Sequence, residues 1–156
     1  WTRENPSSRI LELYAGMGNL TIPLSYGAAE VVAVEVNPLA VKNAQSNAQS
    51  LGIDNIRWLT KPAKAGVHDL LKEKEAFDLI VLDPPREGAR EVLDGIVRLQ
   101  PRSVVYVSCD PATLARDIKE IQQLGSYRPC HSQPLDMFPQ TFHIESITVL
   151  QRAEDL

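Results

Sequence analysis

The chain has 156 residues, 44% of them hydrophobic and 23% charged, with 16 Lys+Arg against 20 Asp+Glu and a formal net charge of −4. A globule of this length buries roughly 68–70% of the surface its unfolded chain exposes, so a single domain with a sizeable core is expected and a disordered chain is excluded. No run approaches the ~20 apolar residues of a membrane span, and an acidic balance with no two basic residues adjacent argues against a polyanionic partner, whose affinity rests on several Lys and Arg contacts to phosphate.

Residues 1–156 read as one excised domain, because Trp1-Thr2-Arg3-Glu4 is neither a Met start nor a signal peptide. Arg9-Ile10-Leu11-Glu12-Leu13-Tyr14 reads as a strand ended by Gly16-Met17-Gly18, with a helix beginning over Leu20 to Ser25. Val31 to Glu35 is a short buried strand. Asn37 then caps a helix with Pro38 at its first position, and that helix runs through Ala40, Ala44 and Ala48 to Leu51, where Gly52 stops it. Ile56 to Leu59 is a third strand and Val67 to Lys74 a short helix. A fourth strand, Phe77 to Leu82, stops at Asp83-Pro84-Pro85, and a helix follows around Arg90 to Leu99. Ser103 to Ser108 is a fifth strand, after which Asp110-Pro111 opens a helix to about Leu124 on the same cap-then-proline logic. Tyr127 to Met137 and His143 to Leu150 are two further strands with no long helix between them.

Strands alternating with helices, each strand a nearly continuous apolar run, predict an α/β fold with a largely parallel sheet covered on both faces and an antiparallel strand from the terminal hairpin. Ligands of such sheets bind outside the carboxyl ends of the strands, where the chemistry-bearing residues of this sequence fall. Gly16 and Gly18 permit a tight turn and close approach of a ligand to the backbone. Glu35, closing the second strand, suits the two hydroxyls of a ribose. A dinucleotide site would place a third glycine where Thr21 stands, so the loop favours S-adenosylmethionine, whose cationic methionine end the Glu12 carboxylate can face. Asp83 can touch the cofactor or order its loop, and Arg86 can meet a phosphate or carboxylate. Cys109 precedes a helix, where the positive end of the dipole favours a thiolate. Cys109 and Cys130 are too few for a disulfide framework or a four-ligand metal cluster, which suggests a reducing, cytoplasmic setting and no metal in this domain.

Leu-Tyr-Ala-Gly-Met-Gly-Asn-Leu-Thr at 13–21, Asp-Pro-Pro-Arg at 83–86, Ser-Cys-Asp-Pro at 108–111, and Asp136-Met137-Phe138-Pro139-Gln140-Thr141-Phe142-His143-Ile144-Glu145 resemble the S-adenosylmethionine-dependent RNA uracil-5-methyltransferases, which act on ribosomal or transfer RNA. The resemblance runs nearly the whole chain. It implies the Rossmann-like class I methyltransferase fold, with a mostly parallel seven-stranded sheet and helices on both faces. It also implies that Cys109 attacks carbon 6 of uracil, that carbon 5 accepts the methyl group, and that Glu145 removes the carbon 5 proton. On the same motifs Tyr14, Asn19, Glu35 and Asp83 would hold S-adenosylmethionine, and His143 and Asp136 would shape the pocket. Read from the residues themselves, Glu12, Gly16 and Gly18 join the cofactor site, and Arg86 and Arg116, basic residues near Cys109, would bind substrate.

Departures from the family pattern are an Ala15 where cysteine is frequent and a Thr60-Lys61-Pro62-Ala63 segment without the polar residue expected beside adenine. Family members also carry, before this domain, an RNA-binding β-barrel of the TRAM type, a central RNA-binding region, sometimes an iron–sulfur cluster, and a Gln that helps hold the cofactor. The isolated domain is therefore expected to be a monomer that binds RNA weakly. Two other readings stay open: an amino-group methyltransferase of adenine or guanine, for which Arg86 stands where a stacking aromatic is preferred, and a cofactor-binding module without turnover.

Overall fold

A computed structural model describes residues 8–137, 139–141 and 144–155. Seven strands form one sheet: β1 Arg9–Leu13, β2 Glu30–Glu35, β3 Ile56–Thr60, β4 Leu79–Leu82, β5 Ser103–Ser108, β6 Tyr127–Leu135 and β7 Glu145–Arg152. Their order is β3-β2-β1-β4-β5-β7-β6. Parallel pairing joins β3 through β5, and β7 alone runs against its neighbours on both sides.

The helices start and stop where local chemistry directs. In α2 (Pro38–Ser50) the Asn37 side chain accepts from the amides of Leu39 and Ala40 at 2.9 and 3.3 Å. Its far end closes as a Schellman turn: Gly52, at φ +68°, donates to the Gln49 carbonyl and Ile53 donates to that of Ala48. Asp110 caps α5 (Pro111–Leu124) in the same way, accepting from Ala112 and Thr113 at 2.9 Å each. The helix after β1 is a single short turn, α1 Thr21–Ser25.

Two helices depart from the sequence expectation. The third, α3, spans Ala63–Lys72 and so begins four residues before Val67. Its interior Gly66 is required by packing, because a Cβ there would lie 2.8 Å from the Val34 side chain on β2. The segment after Arg90 divides into a 3₁₀ turn, Arg90–Val92, and α4 Leu93–Leu99.

One sheet face carries Leu11, Leu13, Val32, Val34, Ile80, Leu82, Val104 and Tyr106, all fully buried beneath α3, α4 and α5. The alternate strand residues Ile10, Val31, Leu79 and Val81 face the other way and pack with Leu24 of α1, Ala28 and Ile56. On that second face a groove of about 360 Å³ runs between α1 and β7, lined by Leu24, Leu79, Val81, Val105, Val107 and Ile147 among others. Strand β6 is one of the two sheet edges, with β3 the other, and its Pro129 and Pro134 cannot donate to a further strand, which blunts that edge. Among the described residues, no helix is long and apolar enough to cross a membrane.

Candidate active site

The sheet aligns the site. Along its carboxyl edge the ends of β2, β1, β4 and β5 follow one another, and they carry Glu35, the Tyr14–Gly18 turn, Asp83 and Cys109 in that order. Glu35 and Cys109 are three strand spacings apart, roughly 14 Å at ~4.8 Å per strand.

The β1 turn is built on left-handed backbone at Tyr14, Gly16 and Gly18, with φ of +63°, +55° and +84°. A Cβ at Gly16 would meet nothing within 4 Å, so this glycine leaves open space above the turn. Gly18 serves packing instead: a Cβ there would lie 3.2 Å from Trp58 and 3.3 Å from Ala44. Glu35 fastens the turn, accepting from the Gly16 amide at 2.9 Å through one oxygen and from the Asn37 amide at 2.8 Å through the other. Asn19 is exposed just beyond the turn. A cavity of about 380 Å³ opens beside these residues, lined by Tyr14, Glu35, Val36, Pro62, Ala63 and Glu91 with Pro85.

Glu12 points from β1 into the interior. Its side chain is buried and its Oε2 has no hydrogen-bond partner. Burial pushes its carboxyl up to about 7, with the Thr21 hydroxyl opposing and the Asp83 charge adding to the rise.

A second cavity, about 360 Å³, is lined by Asp83, Cys109, Glu145, Leu20, Val107, Leu135, Met137 and Ile147. It shares Leu20, Val107 and Ile147 with the apolar groove of the second sheet face. Register explains why Cys109 and Glu145 meet. Ser108 pairs with Ser146 in the antiparallel β5–β7 ladder, so the residue after one lies beside the residue before the other. The Ser146 hydroxyl donates to the Ser108 carbonyl at 3.2 Å, and the Ser108 hydroxyl bonds both the amide and the carbonyl of Asp110, gripping the turn that presents Cys109. Burial, reinforced by the Glu145 charge, raises the Asp83 carboxyl above its ordinary value.

Arg86 lies near Asp110, whose carboxyl is held below its ordinary value chiefly by the Thr113 amide, with Arg86 contributing. Arg116 sits apart from the cavity. Its Nε and Nη2 donate to Asp117 at 2.9 and 2.7 Å, and Nη2 also donates to the Glu87 carbonyl at 2.8 Å. Asp136 is exposed at the end of β6, and His143 lies outside the described residues. Among the described residues no group of His, Cys, Asp or Glu is placed to hold a metal ion.

Sequence reasoning missed Glu91, Leu135 and Ile147 as cavity walls, and Asp117 as a buried carboxylate. For Asp117 a signal existed: it lies on the same helical stripe as the buried Leu114 and Ile121.

This strand order, with one antiparallel strand beside β5 and acidic residues at the ends of β1 and β2, defines a class I S-adenosylmethionine-dependent methyltransferase fold. Solved structures agree: an rRNA methylase of Streptococcus thermophilus superposes at a TM-score of 0.75, covering 97% of this chain and 91% of that one at 14% identity. The tRNA (uracil-5-)-methyltransferase family model matches residues 2–153, and the chain belongs to that family. It is 42% identical over 152 residues to the 23S rRNA (uracil(1939)-C(5))-methyltransferase RlmD of Aeromonas hydrophila, covering 97% of this chain and 34% of that protein. An uncharacterized RNA methyltransferase of Thermosynechococcus vestitus is 43% identical over 96% of this chain and 33% of its own. The tRNA (uracil-54, C5)-methyltransferase of Pyrococcus abyssi, solved with S-adenosyl-L-homocysteine, superposes at a TM-score of 0.76 with 30% identity, over 92% of this chain and 34% of that one. The chain thus spans about a third of the length of the relatives it matches.

Proposed function

We propose that the chain is the catalytic domain of an enzyme that transfers a methyl group from S-adenosylmethionine to carbon 5 of a uridine in RNA. The observation that carries this reading is the convergence of the Cys109 thiol and the Glu145 carboxylate on one cavity, beside the cleft that Glu35 and the β1 turn form.

The residues fit the cofactor. Open space above Gly16 lets a ligand reach the backbone, and the orphaned Glu12 oxygen would face a cationic group, whose charge would favour the ionised carboxylate. Glu35 retains lone pairs for ribose hydroxyls, and Asn19 and Tyr14 flank the turn. When bound, S-adenosylmethionine supplies an electrophilic methyl group. Uracil carbon 5 is a weak nucleophile until its conjugation is broken, and that is the task of Cys109. Its thiolate would add to carbon 6, the electron pair moving to carbon 5 and the O4 enolate, and carbon 5 would take the methyl group as the methyl–sulfonium bond breaks and S-adenosylhomocysteine leaves. Glu145 then accepts the carbon 5 proton, the double bond re-forms and the thiolate leaves carbon 6. Asp83, a wall of the second cavity, would touch the cofactor or order its loop.

For substrate we propose ribosomal RNA, on the greater identity to the 23S rRNA enzyme (42%) than to the tRNA enzyme (30%). Arg86, beside the Cys109 turn, would meet phosphate. Arg116, with its Nε and Nη2 engaged, would act on RNA as a positive charge rather than as a fork.

Incubation with 5-fluorouridine-containing 23S rRNA and tRNA fragments tests the reading. Fluorine at carbon 5 cannot leave as a proton, so a covalent protein–RNA complex should accumulate with the wild type and vanish with Cys109→Ala. A Cys109→Ala variant that still forms the complex overturns the assignment, and the RNA that forms it faster identifies the substrate class.

A further inference from the structure

The loop between β4 and the 3₁₀ turn carries Asp83 and Arg86, yet the group that holds it belongs to α5. Asp117 is fully buried, and each of its carboxylate oxygens accepts two hydrogen bonds. Oδ2 takes the Ala89 amide and the Tyr106 hydroxyl, both at 2.7 Å, and Oδ1 takes Nε and Nη2 of Arg116. Nη2 of Arg116 reaches on to the Glu87 carbonyl. Gly88 lies between these anchors at φ +85°, and a Cβ there would stand 2.5 Å from both Arg116 Nη2 and Asp117 Oδ2. The Gly88 amide donates to the Pro85 carbonyl at 2.9 Å, so Pro84 and Pro85 form a stiff arm fixed to β4 at one end and to Asp117 at the other.

The geometry points to Asp117 as a positioning residue of the active site, acting through the 83–89 loop. Three elements that carry the proposed reacting groups meet at this one carboxylate: the loop bearing Asp83 and Arg86, strand β5, whose Tyr106 lies three residues before Cys109, and α5, which begins just after Cys109. A core-filling role alone would call for an apolar side chain between Leu114 and Ile121, since a buried charge is costly unless fully hydrogen-bonded. A carboxylate is suited to four converging donors, and two of those donors sit on or reach the loop. The catalytic part of this inference rests on the methyl-transfer reading; the mechanical part does not.

Asp117→Asn preserves shape and replaces one acceptor oxygen by a donor. Hydrogen exchange across the chain and steady-state methylation of 23S rRNA fragments are measured well below the melting temperature. Amides at 86–90 should exchange at least about tenfold faster, the scale of losing a hydrogen bond to a charged group, with α2 and the amino ends of the strands unchanged. The turnover number should fall at least about tenfold while the S-adenosylmethionine KM moves less than about threefold. Glu75→Gln, remote from the site, serves as a control for destabilisation alone and should leave both readouts in place. If Asp117→Asn does not fold, Arg116→Gln is read by exchange at the same amides. Unchanged loop exchange, or acceleration spread evenly through the chain, overturns the positioning role. Local acceleration with unchanged turnover overturns its link to catalysis. Absence of methylation by the wild type overturns the functional reading, and the exchange result still decides whether Asp117 holds the loop.

Discussion

Glu12 contrasts with Glu35. Both are acidic residues near the carboxyl edge of the sheet, but Glu35 has both oxygens hydrogen-bonded to backbone amides whereas Glu12 is buried with an oxygen unpartnered. Its carboxyl is raised from 4.5 to about 7, so the neutral form is preferred in the fold. The stability linked to that proton is complete below the unfolded value and is lost as pH rises through about 7, about 3 kcal/mol across the window. Glu12→Gln should flatten the pH dependence of melting between 4.5 and 7, raise the melting temperature at pH 8, and weaken S-adenosylmethionine binding at least about tenfold by calorimetry. Identical pH profiles for the two proteins would show that Glu12 does not set this dependence. For Glu145 the proposed proton transfer gives a sharper outcome. Glu145→Gln should still methylate carbon 5 but fail to release the product, so a covalent complex accumulates on ordinary uridine RNA and is visible on a denaturing gel. A variant that turns over normally excludes Glu145 as the base.

At the scale of elements, the ends of α2 and α5 were legible in the sequence because capping is local: Asn37 and Asp110 bond amides two and three residues ahead, and Pro38 and Pro111 follow them. Asn37→Ala should cost about 1 kcal/mol in urea unfolding, and Gly52→Ala a similar amount because φ is +68° there. Neither should alter cofactor binding by more than twofold. The start of α3 was not legible. The sequence pattern places it at Val67, and only the approach of Val34 from β2 explains the glycine at position 66 inside that helix. The Arg90–Leu99 segment is divided by a distant contact too: the Ala89 amide just before its 3₁₀ turn donates to Asp117 on a different helix.

Across the molecule, charge is divided between the two ends of the sheet. At the amino edge Arg9 and Arg57 each pair with both Glu30 and Glu75, and Arg9 also lies 5.1 Å from the Phe77 ring centre. Arg9 holds the Glu75 carboxyl below its ordinary value, with Arg57 adding. A depressed carboxylate contributes stability above its unfolded value and loses it as pH falls. The ligand-free chain should therefore be most stable near pH 4.5, with a lower bound set by this network and an upper bound set by Glu12, whose contribution falls away above that pH and is gone by about 7. Melting curves across pH test this, and saturating S-adenosylmethionine should move the upper bound to higher pH. A net charge of −4 argued against a nucleic-acid partner, yet residues 83–128 hold seven basic and seven acidic side chains, so the stretch nearest Cys109 is locally balanced.

By itself the sequence determined where strands end and what stands there: the glycine turn, Glu35, Asp83-Pro84-Pro85 and Cys109 all follow apolar runs, and capping and φ preference act within a few residues. It also carried the family motifs. Which of these residues meet was decided by the tertiary structure. Glu145 and Cys109 share a cavity because β7 runs antiparallel to β5 with Ser146 opposite Ser108, a pairing across 38 residues that no local preference specifies. Asp117 gains its partners because α5 packs over the β4 loop. Local chemistry writes the ends of the elements, and only the pairing of distant strands and the packing of helices over them brings the Cys109 thiol, the Glu145 carboxylate and Asp83 to one cavity.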